Sequence, residues 1–256
     1  MKIISCMLSL AVILSAMVGP LSSTACACVA ELSGPSIEYV VTITQPKSHM
    51  AQVSMRFNVQ GNQTETYLSI TQGESIRRQY LQIQSVLVDR LVGLSITQLN
   101  NFTWRVNTTS LHEVLIQYSV NYTINKGIYA YIGSDYAVLD EAALLLHPSL
   151  TERIGFYRVR LEGPSTWMFV SLGAAEHSPI FESPIAEFGT HVFAFGPFLV
   201  STVSRGTATL KLALLVNESG DSRTYEGLVC NVYDQFERTV GKLREPTILV
   251  IIAPKA

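Results

Sequence analysis

The sequence is poor in what staples small exported proteins together and in what most enzymes display. It has four cysteines in 256 residues, and Cys6, Cys26 and Cys28 all fall near the N-terminus. That leaves Cys230, on the apolar side of a helical pattern, where a lone thiol packs rather than reacts; no disulfide framework is available. Charge is scarce as well, with 15% charged residues and a formal net charge of −2. No basic cluster exceeds the pair Arg77-Arg78, so no nucleic-acid partner is expected. There is no H-E-x-x-H, no G-x-S-x-G elbow, no Walker loop and no G-x-G-x-x-G opening a helix. Internal repeats and low-complexity tracts are absent too.

The residues that could carry chemistry are scattered. His49, His112, His147, His177 and His191 show no helical zinc-pair spacing, and each reads as a surface or hydrogen-bonded structural histidine. Asp135, Asp140 and Glu141 cluster in an irregular stretch and could suit a cation or a substrate amine, although a solvated loop explains them as well. Glu176 and Glu187 flank a proline loop without a recognisable pairing. Trp104 and Trp167 follow strand periodicity and are expected in the core rather than as ligand platforms. From motifs alone, no catalytic, cofactor or metal residue is assigned.

What the chain has is hydrophobic residues, 48% of the total, arranged mostly with a period of two. Residues 1–30 read as a signal peptide: Lys2, an apolar stretch from Ile3 to Val18, and the small-residue site Ala25-Cys26-Ala27. The apolar stretch is short for a spanning helix, so secretion or cell-surface display is expected, with an N-terminal membrane anchor as the alternative. Cys26 loosely matches a lipid-acceptor cysteine. Five of the nine asparagines, Asn62, Asn101, Asn107, Asn121 and Asn217, stand in N-x-S/T sequons and are candidate N-glycosylation sites of an extracellular surface.

Alternating strands are expected at 37–43, 53–59, 67–70, 81–88, 94–99, 102–106 and 114–122, spaced as in a sandwich. A hairpin is expected around Gly163-Pro164-Ser165, between strands 157–161 and 168–172. Residues 173–190 read as loop, and further strands as 191–195, 198–203 and 210–216. The period then changes. Leu228, Val229, Val232, Phe236, Val240 and Leu243 fall on one helical stripe, capped by Asp221 or Ser222. The apolar run Ile248 to Ile252 reads as a buried, parallel-type strand expecting neighbours on both edges, with few left to supply them. The fold class is therefore mainly β: a β-sandwich-type domain over 31–180, connecting loop and strands over 181–220, and a short α/β segment over 221–256.

The order of several short motifs resembles a known family. Pro46 and His49 join the first strand pair; Trp104-Arg-Val106 and Ile116-Gln-Tyr118-Ser-Val120 follow. Then come Arg160-Leu-Glu-Gly-Pro-Ser-Thr-Trp167, Phe181-Glu-Ser-Pro184-Ile-Ala-Glu-Phe-Gly189 and His191-Val-Phe-Ala-Phe195. Together they resemble the N-terminal half of the M61-type, glycyl aminopeptidase-like family of gluzincin metallopeptidases. The resemblance implies a β-sandwich leading into a thermolysin-like zinc domain, with Phe181–Gly189 as the passage between them and Glu182 where an Asp is usual. It further implies that the closing helix and strand open the catalytic domain. Zinc is expected only in a full-length family member, because no ligand or catalytic position matches here. The chain is expected to be the non-catalytic N-terminal region of an exported M61-like aminopeptidase, truncated before the zinc site, whose partner is a missing downstream catalytic domain or a cell surface. The rivals are a stand-alone secreted binding module and an Ig-like adhesion domain lacking any α/β unit.

Overall fold

The computed structural model describes residues 37–59, 63–70, 81–87, 96–100, 103–109, 111–122, 131–149, 155–172, 178–206, 208–215, 222–240 and 247–252. The expected signal peptide, Cys26, Asn62, Asn101, Asn217, Glu176, His177 and Asp221 lie outside them. Among the described residues no helix is long and apolar enough to cross a membrane. Mainly β is the observed class. The chain divides into two compact units whose boundary lies between Gly196 and Pro197.

The first unit contains β1 (Ile37–Thr42), β2 (Met50–Asn58), β3 (Glu65–Ser69), β4 (Leu81–Leu87), β5 (Ile96–Asn100), β6 (Thr103–Asn107) and β7 (Glu113–Asn121). They are followed by β8 (Tyr131–Ile132), β9 (Ala137–Asp140), the short helix α1 (Glu141–Leu144) and β10 (His147–Pro148). The series ends with β11 (Phe156–Glu162), β12 (Met168–Val170), β13 (Ile180–Pro184) and β14 (Val192–Gly196). A six-stranded sheet runs β13-β11-β1-β2-β7-β4, and two four-stranded sheets run β10-β3-β6-β5 and β12-β14-β9-β8. All pairings in these sheets are antiparallel except β1 with β11.

Alternation explains the large sheet. In β1, Ile37, Tyr39 and Val41 are buried while Glu38, Val40 and Thr42 are not, as expected of a strand with one face on a core. The inward faces of β1, β2, β7, β11 and β13 share one hydrophobic core with Leu68, Trp104 and Val106 of the second sheet and Leu139, Phe169 and Phe193 of the third. On the outward face charges alternate in sign across neighbouring strands. Glu182 faces Arg158, Arg158 faces Glu38, and Glu38 faces Arg56. Arg158 bridges Glu182 at 2.5 Å and Glu38 at 3.3 Å, and Arg56 reaches Glu113 at 3.6 Å. Such exposed pairs add little stability individually, but they keep this face in water.

The link between β1 and β2 is the Pro46–Ser48 3-10 turn, which ends at His49 in a left-handed conformation with φ of 56°. A non-glycine residue there is uncommon. Here the His49 ring Nδ1 lies 2.5 Å from the Ile132 carbonyl oxygen, which ties the turn to β8.

Three expectations are corrected. Gly163-Pro164-Ser165 does not close a hairpin: β11 pairs with β1 and β13, whereas β12 pairs with β14 in another sheet. Proline and glycine mark a turn equally well whether the chain returns to the same sheet or crosses to a new one. The loop expected over 173–190 holds β13 and a 3-10 turn at Ile185–Glu187. Its prolines stand at the ends of that strand, where missing N–H groups cost no ladder bond. Finally, β13 and β14 belong to the first unit, so Phe181–Gly189 is internal to it and the change of unit comes later, after Gly196.

The second unit contains β15 (Phe198–Arg205), β16 (Ala208–Leu215), α2 (Ser222–Val240) and β17 (Thr247–Ile252). Its sheet runs β15-β16-β17, with β15 antiparallel and β17 parallel to β16. A parallel pair needs a crossover, and α2 supplies it. Ala208, Leu210, Leu212, Leu214, Ile248, Val250 and Ile252 form one core with Val229 and Tyr233 of the helix; Tyr225 and Cys230 pack at its margin. The helical stripe is therefore rotated from the expected one. Leu228 is 40% exposed, and Tyr225 and Tyr233, outside the expected stripe, face the sheet instead. Ile248, Leu249, Val250 and Ile252 of β17 are all buried, and among the described residues β17 pairs on one side, with β16. A helix packed on this sheet excludes the Ig-like adhesion domain.

Candidate functional site

The polar groups of the first unit converge at one place, where α1 and the segment 185–191 meet the buried face of the large sheet. Asp140 begins it. Its carboxylate accepts the Ala142 N–H at 3.0 Å, a helix N-cap that fixes α1. The next residue, Glu141, is fully buried. Its Oε2 accepts three hydrogen bonds: from the Gly189 N–H at 2.9 Å, the His191 N–H at 3.1 Å and His191 Nδ1 at 3.0 Å. An oxygen already accepting two backbone N–H groups can meet the imidazole only as an acceptor, so Nδ1 carries the hydrogen. The Tyr157 hydroxyl lies 3.1 Å from that nitrogen, and Glu187 Oε2 lies 3.7 Å from Nε2. Glu187 in turn accepts the Ser183 hydroxyl at 2.9 Å. The other carboxylate oxygen of Glu141, Oε1, is buried without a hydrogen bond.

Three tyrosines extend this network across adjoining strands. The Tyr39 hydroxyl donates to the Leu146 carbonyl at 2.7 Å. Tyr118 donates to the Leu144 carbonyl and accepts the Leu146 N–H, both at 3.0 Å. These contacts satisfy the backbone where α1 unwinds toward β10, groups that would otherwise be buried and unpaired. Burial pushes the hydroxyls of Tyr39 and Tyr118 well above the usual tyrosine range. Tyr157 is raised by burial and then by the neighbouring Glu141 carboxylate. All three are permanent donors at any physiological pH.

The Phe181–Gly189 motif now has a physical reading residue by residue. Phe181 stacks edge-on against Tyr157, His191 and Phe193. Ser183 ties back to Glu187, and Phe188 packs edge-on against Tyr157 and His147. Gly189 adopts φ of 83° while giving its N–H to Glu141, a conformation that favours glycine. Glu182 is exposed and pairs with Arg158, so a longer acid is accommodated there without crowding.

The other candidates do not join this cluster. Asp135 is exposed and bonded to Ser134 at 3.1 Å. His112 is exposed; His147 packs on Phe188, and His49 serves the β1–β2 turn. Trp104 is buried in the core, and Trp167, partly buried, packs against its margin edge-on to Phe195 at 5.3 Å. Cys230 is partly buried. Among the described residues no three His, Cys, Asp or Glu side chains come together to hold a metal ion. Glu141 and His191 do not fit zinc as arranged, because Glu141 Oε2 already accepts three hydrogen bonds, one of them from His191 Nδ1. With the buried Glu141 carboxylate bonded to Gly189 and His191, the cluster clamps α1 to the segment 185–191.

Residues 38–184 match the Peptidase M61 N-terminal domain. The match covers more than half of the chain, and the chain belongs to this family. Its fold is similar to that of an aminopeptidase N family protein from Idiomarina loihiensis, at 13% identity and a TM-score of 0.68, over 83% of this chain and 38% of that one. It is similar also to an M1 zinc metallopeptidase from Deinococcus radiodurans, a variant bound to a Tyr-Ser-Ala substrate, at 12% identity and a TM-score of 0.50, over 88% of this chain and 58% of that one. The chain thus spans less than two thirds of the length of either structure. No curated protein matches it by sequence.

Proposed function

We propose that this chain is the non-catalytic N-terminal portion of an exported M61-like zinc aminopeptidase. The supporting observation is the pairing of a family match over 38–184 with a sequence that has no H-E-x-x-H. Such a portion contributes shape rather than chemistry: three sheets around one core back the catalytic domain and wall the substrate cleft. The unit of β15, β16, α2 and β17 then begins the catalytic α/β sheet. Zinc, in an enzyme of this kind, polarises the scissile carbonyl and activates a water, and these residues supply neither step. Export rests on the leader-like composition of residues 1–30 and on the sequons.

Purified chain assayed for zinc content and aminopeptidase turnover tests the reading. No turnover above background is expected, with or without added zinc. Stoichiometric zinc accompanied by chelator-sensitive turnover would overturn it. N-terminal sequencing of secreted protein tests export, with a mature start near residue 30 expected.

A further inference from the structure

Two of the sequon asparagines, Asn107 and Asn121, lie among the described residues, and their surroundings differ. Asn107 is the exposed last residue of β6. Its side-chain Oδ1 accepts the Thr109 N–H at 3.0 Å. This bond uses the carbonyl oxygen of the amide and not the nitrogen, and it draws the third residue of Asn107-Thr108-Thr109 back beside the first. Between them Thr108 is fully buried: its N–H donates to the Thr64 carbonyl at 2.8 Å and its hydroxyl to the Gln63 carbonyl at 2.9 Å. Thr109 itself is exposed, its hydroxyl 3.5 Å from the Thr64 carbonyl oxygen. The buried threonine pins a turn that holds both recognition side chains outward.

Asn121 is in a different position. Both asparagines end their strands and pair there, Asn107 opposite Glu65 and Asn121 opposite Met50, but Asn121 is half-buried and its side chain is already engaged. The following residue, Tyr122, is buried and gives its N–H to the His49 carbonyl at 2.8 Å. A glycan there would have to displace the contacts that half-bury the Asn121 side chain, beside the turn that His49 closes.

We propose that Asn107 is a site of N-linked glycosylation and that Asn121, despite its sequon, is not. The inference rests on the export reading above. In the transfer, Asn107 Nδ2 attacks the anomeric carbon of a lipid-pyrophosphate-linked oligosaccharide. The new C–N bond replaces the anomeric C–O bond, the pyrophosphate lipid leaves, and one amide proton is lost. If transfer follows folding, only Asn107 is reachable. If it precedes folding, molecules modified at Asn121 cannot seat its half-buried side chain and are depleted from the folded pool. Either order gives the same selection.

The test is to express the full chain in a glycosylating secretory host, treat the folded product with peptide N-glycosidase in heavy-oxygen water, and map labelled sites by mass spectrometry. Label is expected at Asn107 in most molecules and none at Asn121. Asn107→Gln and Thr109→Ala should each remove one glycan, whereas Thr109→Ser keeps it. If no protein is secreted, the export reading has failed, and the same mapping is made with a proven secretion leader in place of residues 1–30. Under either leader, an unlabelled Asn107 or a labelled Asn121 in folded protein overturns the proposal.

Discussion

In residues 37–196 the core holds the hydroxyls of Tyr39, Tyr118 and Tyr157 among others, a carboxylate and an imidazole; in residues 197–252 the core between sheet and helix is aliphatic, apart from the Tyr233 ring, whose hydroxyl turns outward to Glu237 at 3.1 Å. The contrast follows from topology. In the second unit each element packs against a neighbour close in sequence, and a repeating apolar stripe is enough to set the arrangement. In the first, α1 and segment 185–191 lie some fifty residues apart in sequence (Glu141 to His191, |i−j| of 50). The β9–β14 ladder brings Asp140 opposite Val192 and ends there, so beyond it side-chain bonds hold the two segments together. Hydrophobic burial is non-directional and cannot by itself fix such a junction. Directional buried hydrogen bonds can, although the net stability they add is small compared with what their disruption removes.

The largest test of this contrast is Glu141→Ala. It strands the N–H groups of Gly189 and His191 and the imidazole in a dry site, and breaking a buried pair from one side costs about 3–5 kcal/mol. Urea denaturation should show a loss of that size with an unchanged slope. A loss under about 1 kcal/mol would mean that the clamp does not hold segment 185–191, and the topological account of the first unit would fall. Tyr118→Phe comes next. It removes a donor to Leu144 and an acceptor from Leu146, so about 2 kcal/mol is expected from unsatisfied buried groups. Tyr39→Phe, with one partner at Leu146, should cost about half as much, and the reverse order would contradict the assigned network.

The second unit predicts the opposite sensitivity, to volume rather than polarity. Val229→Ala removes buried methyl groups from the core that α2 shares with the sheet, worth about 1–2 kcal/mol once a small cavity is included. Leu228→Ala, one residue away but 40% exposed, should stay within about 0.5 kcal/mol. Equal losses at the two positions would show that the helix presents the face expected from its aliphatic residues and not the one with Tyr225 and Tyr233.

Much of the architecture could be read in advance. Alternation located β1, β2, β6 and β7 because each has one face on a core, and the change of period located α2 and β17. The parts that escaped share a cause. Whether Gly163-Pro164-Ser165 folds back or crosses to another sheet depends on which partner β11 finds, and that partner is β1, far away in sequence. The clamp escaped for the same reason. Glu141 looked like one acid among Asp135 and Asp140, and nothing local distinguishes a buried carboxylate from a solvated one. A usable signal lay in Tyr39, Tyr118 and Tyr157, which occupy inward positions of alternating strands. A buried hydroxyl needs a partner, so their alignment implied a polar seam in the core.

The smallest effect concerns His147, and it separates the units by pH. Burial holds its pKa below the ordinary value of 6.5, with the ring set edge-on to Phe188 at 4.9 Å. A depressed folded-state value means that the unfolded chain binds the proton more readily. The stabilisation is therefore complete above about pH 6.5 and declines as pH falls through that value toward the folded-state one. Unfolding followed between pH 7.5 and 5.5 should show the first unit weakening toward acid. His147→Gln should flatten that slope, because the substituted side chain does not titrate. Residues 197–252 contain no histidine, so hydrogen exchange of α2 should be insensitive to pH over this window after correction for the intrinsic rate. A parallel acid-side loss of protection in α2 would show that the two units unfold as one.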